Sequence, residues 1–276
     1  MPILHAIVLG LVQGLSEFLP ISSSGHLIIV PWLFGWNDFD SDSVQKAFDV
    51  ALHIGTLAAV CIYFRHDLAV YIRDGWRALR SRGRHATPEG RLAWLLVLAT
   101  VPAVIAGALF EKQIDEQLGR IPLIAVSLIF FGLLLGWADR LPGTRTIETM
   151  DRRDAVFIGA AQVLSLNPGT SRSGITITGA RMRIFTREAA ARISFLMAIP
   201  VTAGAAVFKV GKLVKDGIPD GLAVPMLVGI ITSGVAGWLA VAGLLRYLRT
   251  RSFLPFVIYR VVLGVVLLVV AISGWR

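Results

Sequence analysis

Six long apolar runs dominate the chain, and each is long enough to cross a bilayer as one helix. A crossing helix needs about 20 consecutive, mainly apolar residues. The runs cover residues 45–64, 92–111, 120–138, 189–208, 222–245 and 253–274. The pattern therefore predicts an all-α polytopic membrane protein with six spanning helices, in agreement with a hydrophobic content of 55%.

Two further apolar runs, residues 3–35 and 154–181, are interrupted by polar clusters. The breaks lie near residues 20–25 and at residues 168–174, where proline, glycine and hydroxyl side chains collect. Each break leaves half-helices of about 15 residues or fewer, roughly 20 Å long at the α-helical rise. Irregular backbone at membrane depth requires surrounding protein or a water-filled cavity. We therefore expect two re-entrant helical hairpins rather than two further crossings.

The two polar clusters match each other at an offset of 149 residues. The matched pairs are Gly10 with Gly159, Gln13 with Gln162, Leu15 with Leu164, Ser16 with Ser165, Ser22 with Ser171, Ser24 with Ser173, and Gly25 with Gly174. Within a single membrane domain, residues 1–276, we expect repeat one at 1–140 and repeat two at 150–276. Each repeat is a hairpin followed by three crossings, so the repeats are inverted relative to each other. Such folds bind ligands near the bilayer midplane.

Arginines are concentrated on one side of this predicted topology. The chain has 27 Lys and Arg against 18 Asp and Glu, a formal net charge of +9. The arginine-rich loops are 65–91, 140–153, 181–187 and 246–251. The positive-inside rule makes this side cytoplasmic. The periplasmic side then receives both termini, the acidic residues Asp38, Asp40 and Asp42, and the loops 112–119 and 209–220. The arginines of the cytoplasmic loops account for the positive net charge, so no nucleic-acid partner is expected.

Hydroxyl-rich helix starts predict an anion site where the two hairpins meet. The candidate substrate-binding residues are Gln13, Ser22 and Ser24 in the first cluster and Ser171, Ser173 and Thr176 in the second. Free N–H groups at helix N-termini bind anions such as phosphate. Arg172 adds a planar guanidinium suited to phosphate oxygens. A serine cluster alone is commonly a helix cap, but two matched clusters favour a shared site.

Other side chains in the clusters indicate phosphoryl transfer. Gln13 and Glu17 share one helical face, and their oxygens could hold a hard divalent cation, Mg²⁺ or Ca²⁺, beside a phosphate. His26 is a candidate general acid or base. Ser23 is either a nucleophile activated by His26 or a further hydrogen-bond donor. The sequence leaves open whether Ser23, His26 or water attacks phosphorus.

Each of these side chains also has a structural interpretation. A protonated Glu17 could pack in the core, His26 could make a buried hydrogen bond, and Arg172 could pair with a carboxylate such as Glu17. Further candidates are Asp49 and His53, one turn apart, and Arg260, seven residues into the last crossing. Four glycines are expected to permit close helix packing, namely Gly204, Gly229, Gly234 and Gly237.

The two clusters resemble the signatures of a known family. Gln13, Glu17 and residues 20–26 resemble the first signature of the undecaprenyl-diphosphate phosphatases (bacitracin-resistance proteins), and residues 168–176 resemble the second. Residues 253–260 resemble that family's last helix. The essential residues of the family correspond to Glu17, Ser23, His26 and Arg172. Gln13 stands where many members carry a second glutamate.

The resemblance implies an inner-membrane enzyme that removes the terminal phosphate of undecaprenyl diphosphate and recycles the carrier lipid for peptidoglycan synthesis. It also implies dependence on a divalent cation and a site open to the periplasm. The expected partners are a polyprenyl diphosphate and membrane lipids, with a homodimer as a further expectation. Two other classes remain: a transporter or flippase of a phosphorylated lipid, since inverted repeats are a transporter design, and a non-enzymatic scaffold.

Overall fold

A computed structural model describes residues 1–39, 41–84, 86–117, 120–216 and 221–273. Over these residues the chain is helical, with no strand beyond one isolated bridge between Arg145 and Phe185. The helices are α1 (Ile3–Phe18), α2 (Ser23–Phe34), α3 (Asp42–Tyr63), α4 (Arg65–Arg80), α5 (Pro88–Gln117), α6 (Ile121–Asp139), α7 (Arg152–Val163), α8 (Arg172–Met182), α9 (Arg187–Asp216), α10 (Ala223–Leu248) and α11 (Leu254–Ser273). Short 3₁₀ turns, Ile147–Thr149 and Leu164–Leu166, flank α7.

Six helices in the described ranges are long and apolar enough to cross a membrane, which confirms the predicted all-α class with six spans. The candidate spans are Val44–Tyr63, Pro88–Leu109, Ile121–Asp139, Arg187–Val207, Ala223–Leu248 and Leu254–Ser273. The two broken runs form the short pairs α1–α2 and α7–α8, whose helices have 16, 12, 12 and 11 residues. The chain is therefore a multi-pass membrane protein.

Two predicted loops are shorter than expected. Helices α5 and α9 continue to Gln117 and Asp216, so most of the predicted loops 112–119 and 209–220 is helical. These segments contain glutamate, glutamine and lysine, which are good helix formers and extend a helix beyond its apolar run. The remainders, 118–119 and 217–220, lie outside the described residues, as do Asp40 of the acidic stretch and the last residues, 274–276.

The prediction of a loop at 65–91 was wrong over its first part, because Arg65–Arg80 form helix α4. The arginines suggested a loop, but Gly75 and Ala78 lie three residues apart on a buried face that packs against α5. Trp94 of α5 fixes this contact by donating from Nε1 to the carbonyl of Gly75 at 2.9 Å. An acidic first turn and a basic last turn also favour the helix through its macrodipole.

Ion pairs gather the arginine-rich segments at one end of the molecule. Asp139, at the end of α6, accepts a hydrogen bond of 2.6 Å from Arg187 at the start of α9. Asp154, fully buried near the start of α7, accepts one of 2.7 Å from Arg183 beyond α8. The ends of α6 and α8 and the starts of α7 and α9 therefore lie together.

The opposite end holds the start of the chain. His5 of α1 bonds to Asp38 at 2.6 Å and stacks on the ring of Trp36 at 3.7 Å. An apolar cluster joins α1, α2, α3 and the start of α10, and its members are Ala6, Leu9, Leu27, Phe48, Ala51, Leu52, Leu222 and Met226. The starts of α1 and α10 therefore share one end of the molecule.

The helices of the two halves pack in a reciprocal pattern. Helix α1 packs on α10 and α7 packs on α5, while α3 contacts α9 and α6 contacts α11. The first helix of each broken pair thus packs on the second span of the other half, and the first and third spans contact their counterparts. This pairing is expected of two related halves, although the division into repeats 1–140 and 150–276 stays a prediction.

Glycines of α10 lie at close helix contacts. A Cβ atom added at Gly229, Gly234 or Gly237 would have a neighbouring atom within 3.3 Å, which confirms the predicted packing role of these three residues. The same prediction was wrong for Gly204 of α9, since no neighbouring atom of the described residues lies within 4 Å of a Cβ added there. That part of α9 faces outward, so its glycine meets no partner helix.

Candidate active site

Both breaks adopt the same unusual backbone conformation. Ser22 and Ser171 are the N-caps of α2 and α8, with φ values of 79° and 72°. Side chains other than glycine rarely adopt this region, and such strain persists only where the surrounding structure enforces it. The Ser22 hydroxyl accepts from the N–H of Gly25 at 3.4 Å, and the Ser171 hydroxyl accepts from that of Gly174 at 3.1 Å. The matched sequences therefore form matched local structures.

The two breaks are in direct contact. Ser22 Oγ accepts a second hydrogen bond, of 3.1 Å, from the backbone N–H of Gly169. In the other direction, Ser173 Oγ donates to the carbonyl of Leu19 at 3.0 Å and lies 3.1 Å from Ser171 Oγ. Since all three serines are buried, the two clusters form one junction inside the protein.

Glu17 is the centre of the polar group at this junction. The carboxylate is 7% exposed and accepts from side chains of both breaks. Gln13 Nε2 and Ser23 Oγ donate to its Oε2 at 3.1 and 2.7 Å, and Arg172 Nη2 donates to its Oε1 at 2.8 Å. Four of the predicted site residues therefore form one hydrogen-bonded unit, and its ion pair joins residues 155 positions apart.

Helix α9 holds Arg172 from the other side. Arg172 Nη1 donates to the carbonyl of Ser194 at 3.2 Å. The hydroxyl of Thr176, which is fully buried, lies 2.8 Å from both the Arg172 carbonyl and Ser194 Oγ. Ser194 thus positions the predicted residues of α8, and no sequence pattern singled it out. Among the predicted donors, Ser24 stands apart because it is exposed in the first turn of α2.

His53 joins the group from α3. Its Nε2 lies 3.6 Å from Glu17 Oε2, while its Nδ1 bonds to the carbonyl of Asp49 at 2.7 Å. The ring therefore directs one nitrogen toward the carboxylate. The spacing of Asp49 and His53 by one turn was the signal in the sequence, and of the pair it is the histidine that reaches Glu17 in the described contacts.

His26 belongs to a neighbouring group rather than to Ser23. Its Nδ1 lies 2.7 Å from the Ser22 carbonyl, and its Nε2 lies 2.7 Å from the Tyr259 hydroxyl. A carbonyl only accepts, so Nδ1 carries the proton and a neutral ring accepts at Nε2 from Tyr259. Of the two alternatives for Ser23, a hydroxyl activated by His26 or a further donor, the described contacts show a bond to Glu17.

Arg260 links both breaks from α11. It is fully buried, and its bonds go to backbone carbonyls. It donates to Pro20 in the first break at 3.2 Å and to Gly169 and Thr170 in the second at 2.9 and 3.0 Å. Carbonyl dipoles carry no net charge that would neutralise the guanidinium, so Arg260 contributes a positive potential beside the junction, which favours an anionic ligand.

Gln13 and Glu17 are the residues predicted to hold a divalent cation. Gln13 Oε1 is buried and has no hydrogen-bond partner among the described residues. The described residues contain no group of three or more His, Cys, Asp or Glu side chains placed to hold a metal. These oxygens therefore fit a cation shared with phosphate oxygens, as is usual for Mg²⁺, rather than an all-protein cage.

The chain is similar to known proteins over nearly its whole length. A family model described as bacitracin resistance protein BacA matches residues 6–266. The undecaprenyl-diphosphatase of Geobacter sulfurreducens is 50% identical over 266 residues, which cover 96% of each chain. That of Chromohalobacter salexigens is 48% identical over 96% of this chain and 98% of its own. That of Pelobacter propionicus is 45% identical over 99% of both. Because the match covers nearly its whole length, the chain belongs to the bacitracin resistance protein BacA family.

Proposed function

We propose that this protein hydrolyses undecaprenyl diphosphate to undecaprenyl phosphate and inorganic phosphate, which recycles the lipid carrier for peptidoglycan synthesis and confers bacitracin resistance. The observation that carries the proposal is the ion pair between Arg172 of one break and Glu17 of the other, at 2.8 Å. A guanidinium, a carboxylate and a hydroxyl converge there beside two helix N-termini, which suits a diphosphate head group. The names of the relatives supply the substrate.

Ser23 is the proposed nucleophile, with Glu17 as its base. Their hydrogen bond of 2.7 Å already points the hydroxyl proton at the carboxylate. Ser23 Oγ attacks the terminal phosphorus as its proton passes to Glu17. The bond from phosphorus to the bridging oxygen breaks, and undecaprenyl phosphate leaves with the electron pair. Water then attacks the phosphorus of the phosphoserine, and its proton passes to His26 Nε2. The bond from phosphorus to Ser23 Oγ breaks, Oγ takes its proton back from Glu17, and inorganic phosphate is released.

Arg172 changes partner when the substrate binds. Before binding, its ion pair with Glu17 favours the charged carboxylate and weakens it as a base. A phosphoryl group is a better bidentate partner for the guanidinium, and it draws Arg172 from Glu17. The same contact stabilises the charge of the transferred phosphoryl group. Glu17 thus becomes a base only when a phosphate occupies the site.

Glu17 and Gln13 would hold the divalent cation, Mg²⁺ or Ca²⁺, together with phosphate oxygens. When bound, the cation supplies charge neutralisation for the diphosphate. The chain's own residues supply orientation: Gln13 fixes the carboxylate, and Ser22 and Ser171 hold the two helix starts.

The proposed setting is the bacterial inner membrane, with α1–α2 and α7–α8 as re-entrant hairpins of inverted orientation. Four short helices and the contact of the two breaks support this placement. The site would open to the periplasm, with both termini on that side, and the polyprenyl tail would lie in lipid. A homodimer stays a prediction.

The test is release of inorganic phosphate from undecaprenyl diphosphate by the purified protein, with Mg²⁺ or Ca²⁺ and with a chelator. Release that needs the cation and is lost in Glu17→Ala and Arg172→Ala, with unchanged thermal unfolding, supports the proposal. Transfer of labelled phosphate to Ser23, trapped by acid, supports the covalent step. Binding without release would instead indicate the transporter or flippase.

A further inference from the structure

Helix α4 exposes an apolar face at the arginine-rich end of the molecule. Ile72, Trp76 and Leu79 are 70%, 58% and 52% exposed and are spaced by four and three residues, so they form one stripe. The adjoining face, which includes Gly75 and Ala78, is buried against the protein. A helix that faced water would carry polar residues along its outer side. The stripe therefore requires an apolar surrounding.

A row of arginines runs beside the stripe. Arg73, Arg77 and Arg80 each follow one of the apolar residues directly. The side chains of Arg73 and Arg77 are 55% and 66% exposed, although both contact the buried Asp74. The Arg80 guanidinium lies over the Trp76 ring, 5.9 Å from its centroid. Cations beside an exposed apolar stripe match the arrangement of lipid phosphates above acyl chains.

The apolar stripe is continuous with the outward face of a candidate span. The bond from Trp94 to the Gly75 carbonyl places the middle of α4 beside the start of α5. From Trp94 onward, α5 exposes Val97, Val101 and Val104 at spacings of four and three. The outward face of a span contacts lipid tails, so the membrane surface that borders α5 also reaches α4.

We propose that α4 is an interfacial helix that binds acidic phospholipids. Ile72, Trp76 and Leu79 lie in the acyl region, and Arg77 and Arg80 contact head-group phosphates. A second copy of this chain would cover the stripe only by bringing two arginine rows together, which like-charge repulsion opposes. The proposal is independent of the hydrolysis proposed above, since α4 contributes none of the residues of the junction.

The test uses quenching of tryptophan fluorescence in vesicles of phosphatidylcholine and phosphatidylglycerol. One lipid at a time carries brominated acyl chains at the same mole fraction. The signal of Trp76 is the difference between the wild type and Trp76→Phe. We expect brominated phosphatidylglycerol to quench this signal at least about twofold more than brominated phosphatidylcholine. Combined Arg77→Gln and Arg80→Gln should remove the preference and keep the quenching.

The matched control is combined Arg152→Gln and Arg153→Gln, which removes two exposed charges from the same end of the molecule outside α4. The preference should persist in this control, and its loss there would show a general charge effect and overturn the site. Equal quenching by both lipids in the wild type would overturn acidic-lipid binding. Quenching by neither lipid would place Trp76 in water or under another protein and overturn the membrane contact.

Discussion

At the residue scale, the site is a set of polar side chains that already have partners. Glu17 is bonded to Gln13, Ser23 and Arg172, and in the proposed mechanism this is the group in which the substrate replaces a bond. The sequence revealed these residues because charged groups within apolar runs are costly and therefore conspicuous. It could not reveal the partner of Ser23, since proximity along the chain favoured His26 and only the fold brings α1 back to Ser23.

Arg172→Lys should lower kcat roughly 100-fold, a typical cost of losing one donor to developing negative charge. Lysine keeps the charge but lacks the planar fork that bonds Glu17 and the Ser194 carbonyl together. Initial rates of phosphate release measure the effect. Arg249→Lys is the control, because Arg249 forms an exposed pair with Glu188. Equal rates for Arg172→Lys and the wild type would remove Arg172 from the site.

Tyr259→Phe should lower kcat by about tenfold or less and leave KM nearly unchanged. The hydroxyl supplies one of the two bonds that orient the His26 ring, and one hydrogen bond contributes about 0.5–1.5 kcal/mol. Steady-state kinetics measures kcat and KM. Tyr247→Phe is the control, because it removes a tyrosine hydroxyl that does not contact His26 in the described hydrogen bonds. A change in KM alone would show that Tyr259 contacts the lipid and does not position His26.

At the element scale, apolar periodicity determined most of the fold. The six spans and both breaks were predictable because runs of about 20 apolar residues and proline–glycine interruptions are strong signals. Helix α4 was missed because its arginines resemble a cytoplasmic loop. Its stripe of Ile72, Trp76 and Leu79 was visible in the sequence, but which face of a short helix is buried depends on a neighbour, here α5.

Gly14→Ala should destabilise the protein by about 1–3 kcal/mol, the usual cost of overpacking. A Cβ atom at Gly14 would lie 2.6 Å from the Ser233 carbonyl oxygen and would separate α1 from α10. Thermal unfolding in detergent measures the loss as a lower Tm. Gly243→Ala is the control, since an added Cβ at Gly243 meets no neighbouring atom within 4 Å in the part of the chain that the structure describes. Equal Tm values for the two variants would contradict the close contact.

At the scale of the whole molecule, the two ends differ in charge and the middle holds the junction. The halves are similar around Ser22 and Ser171, and their reciprocal helix contacts could be anticipated from the repeat alone. The hydrogen bonds of Arg260 to both breaks could not be anticipated. A buried arginine in the last span has several candidate partners, and the sequence does not rank them.

The sidedness can be tested with single cysteines in a Cys61→Ala background, since Cys61 is the one cysteine of the chain. Asn37 and Thr250 are exposed at opposite ends. We expect a membrane-impermeant maleimide to label Asn37→Cys in intact spheroplasts and Thr250→Cys only after lysis. The reverse pattern would invert the orientation, and labelling of both before lysis would contradict the placement of the spans.

The most direct test of the central claim is a double-mutant cycle across the two breaks. Glu17→Gln, Arg172→Lys and the combined variant are compared by kcat/KM for phosphate release from undecaprenyl diphosphate. Residues that act as one unit are non-additive. If Glu17 and Arg172 form a single site, the combined variant will be about as slow as the slower single variant. If the two losses multiply, the breaks act independently and the single shared site is contradicted.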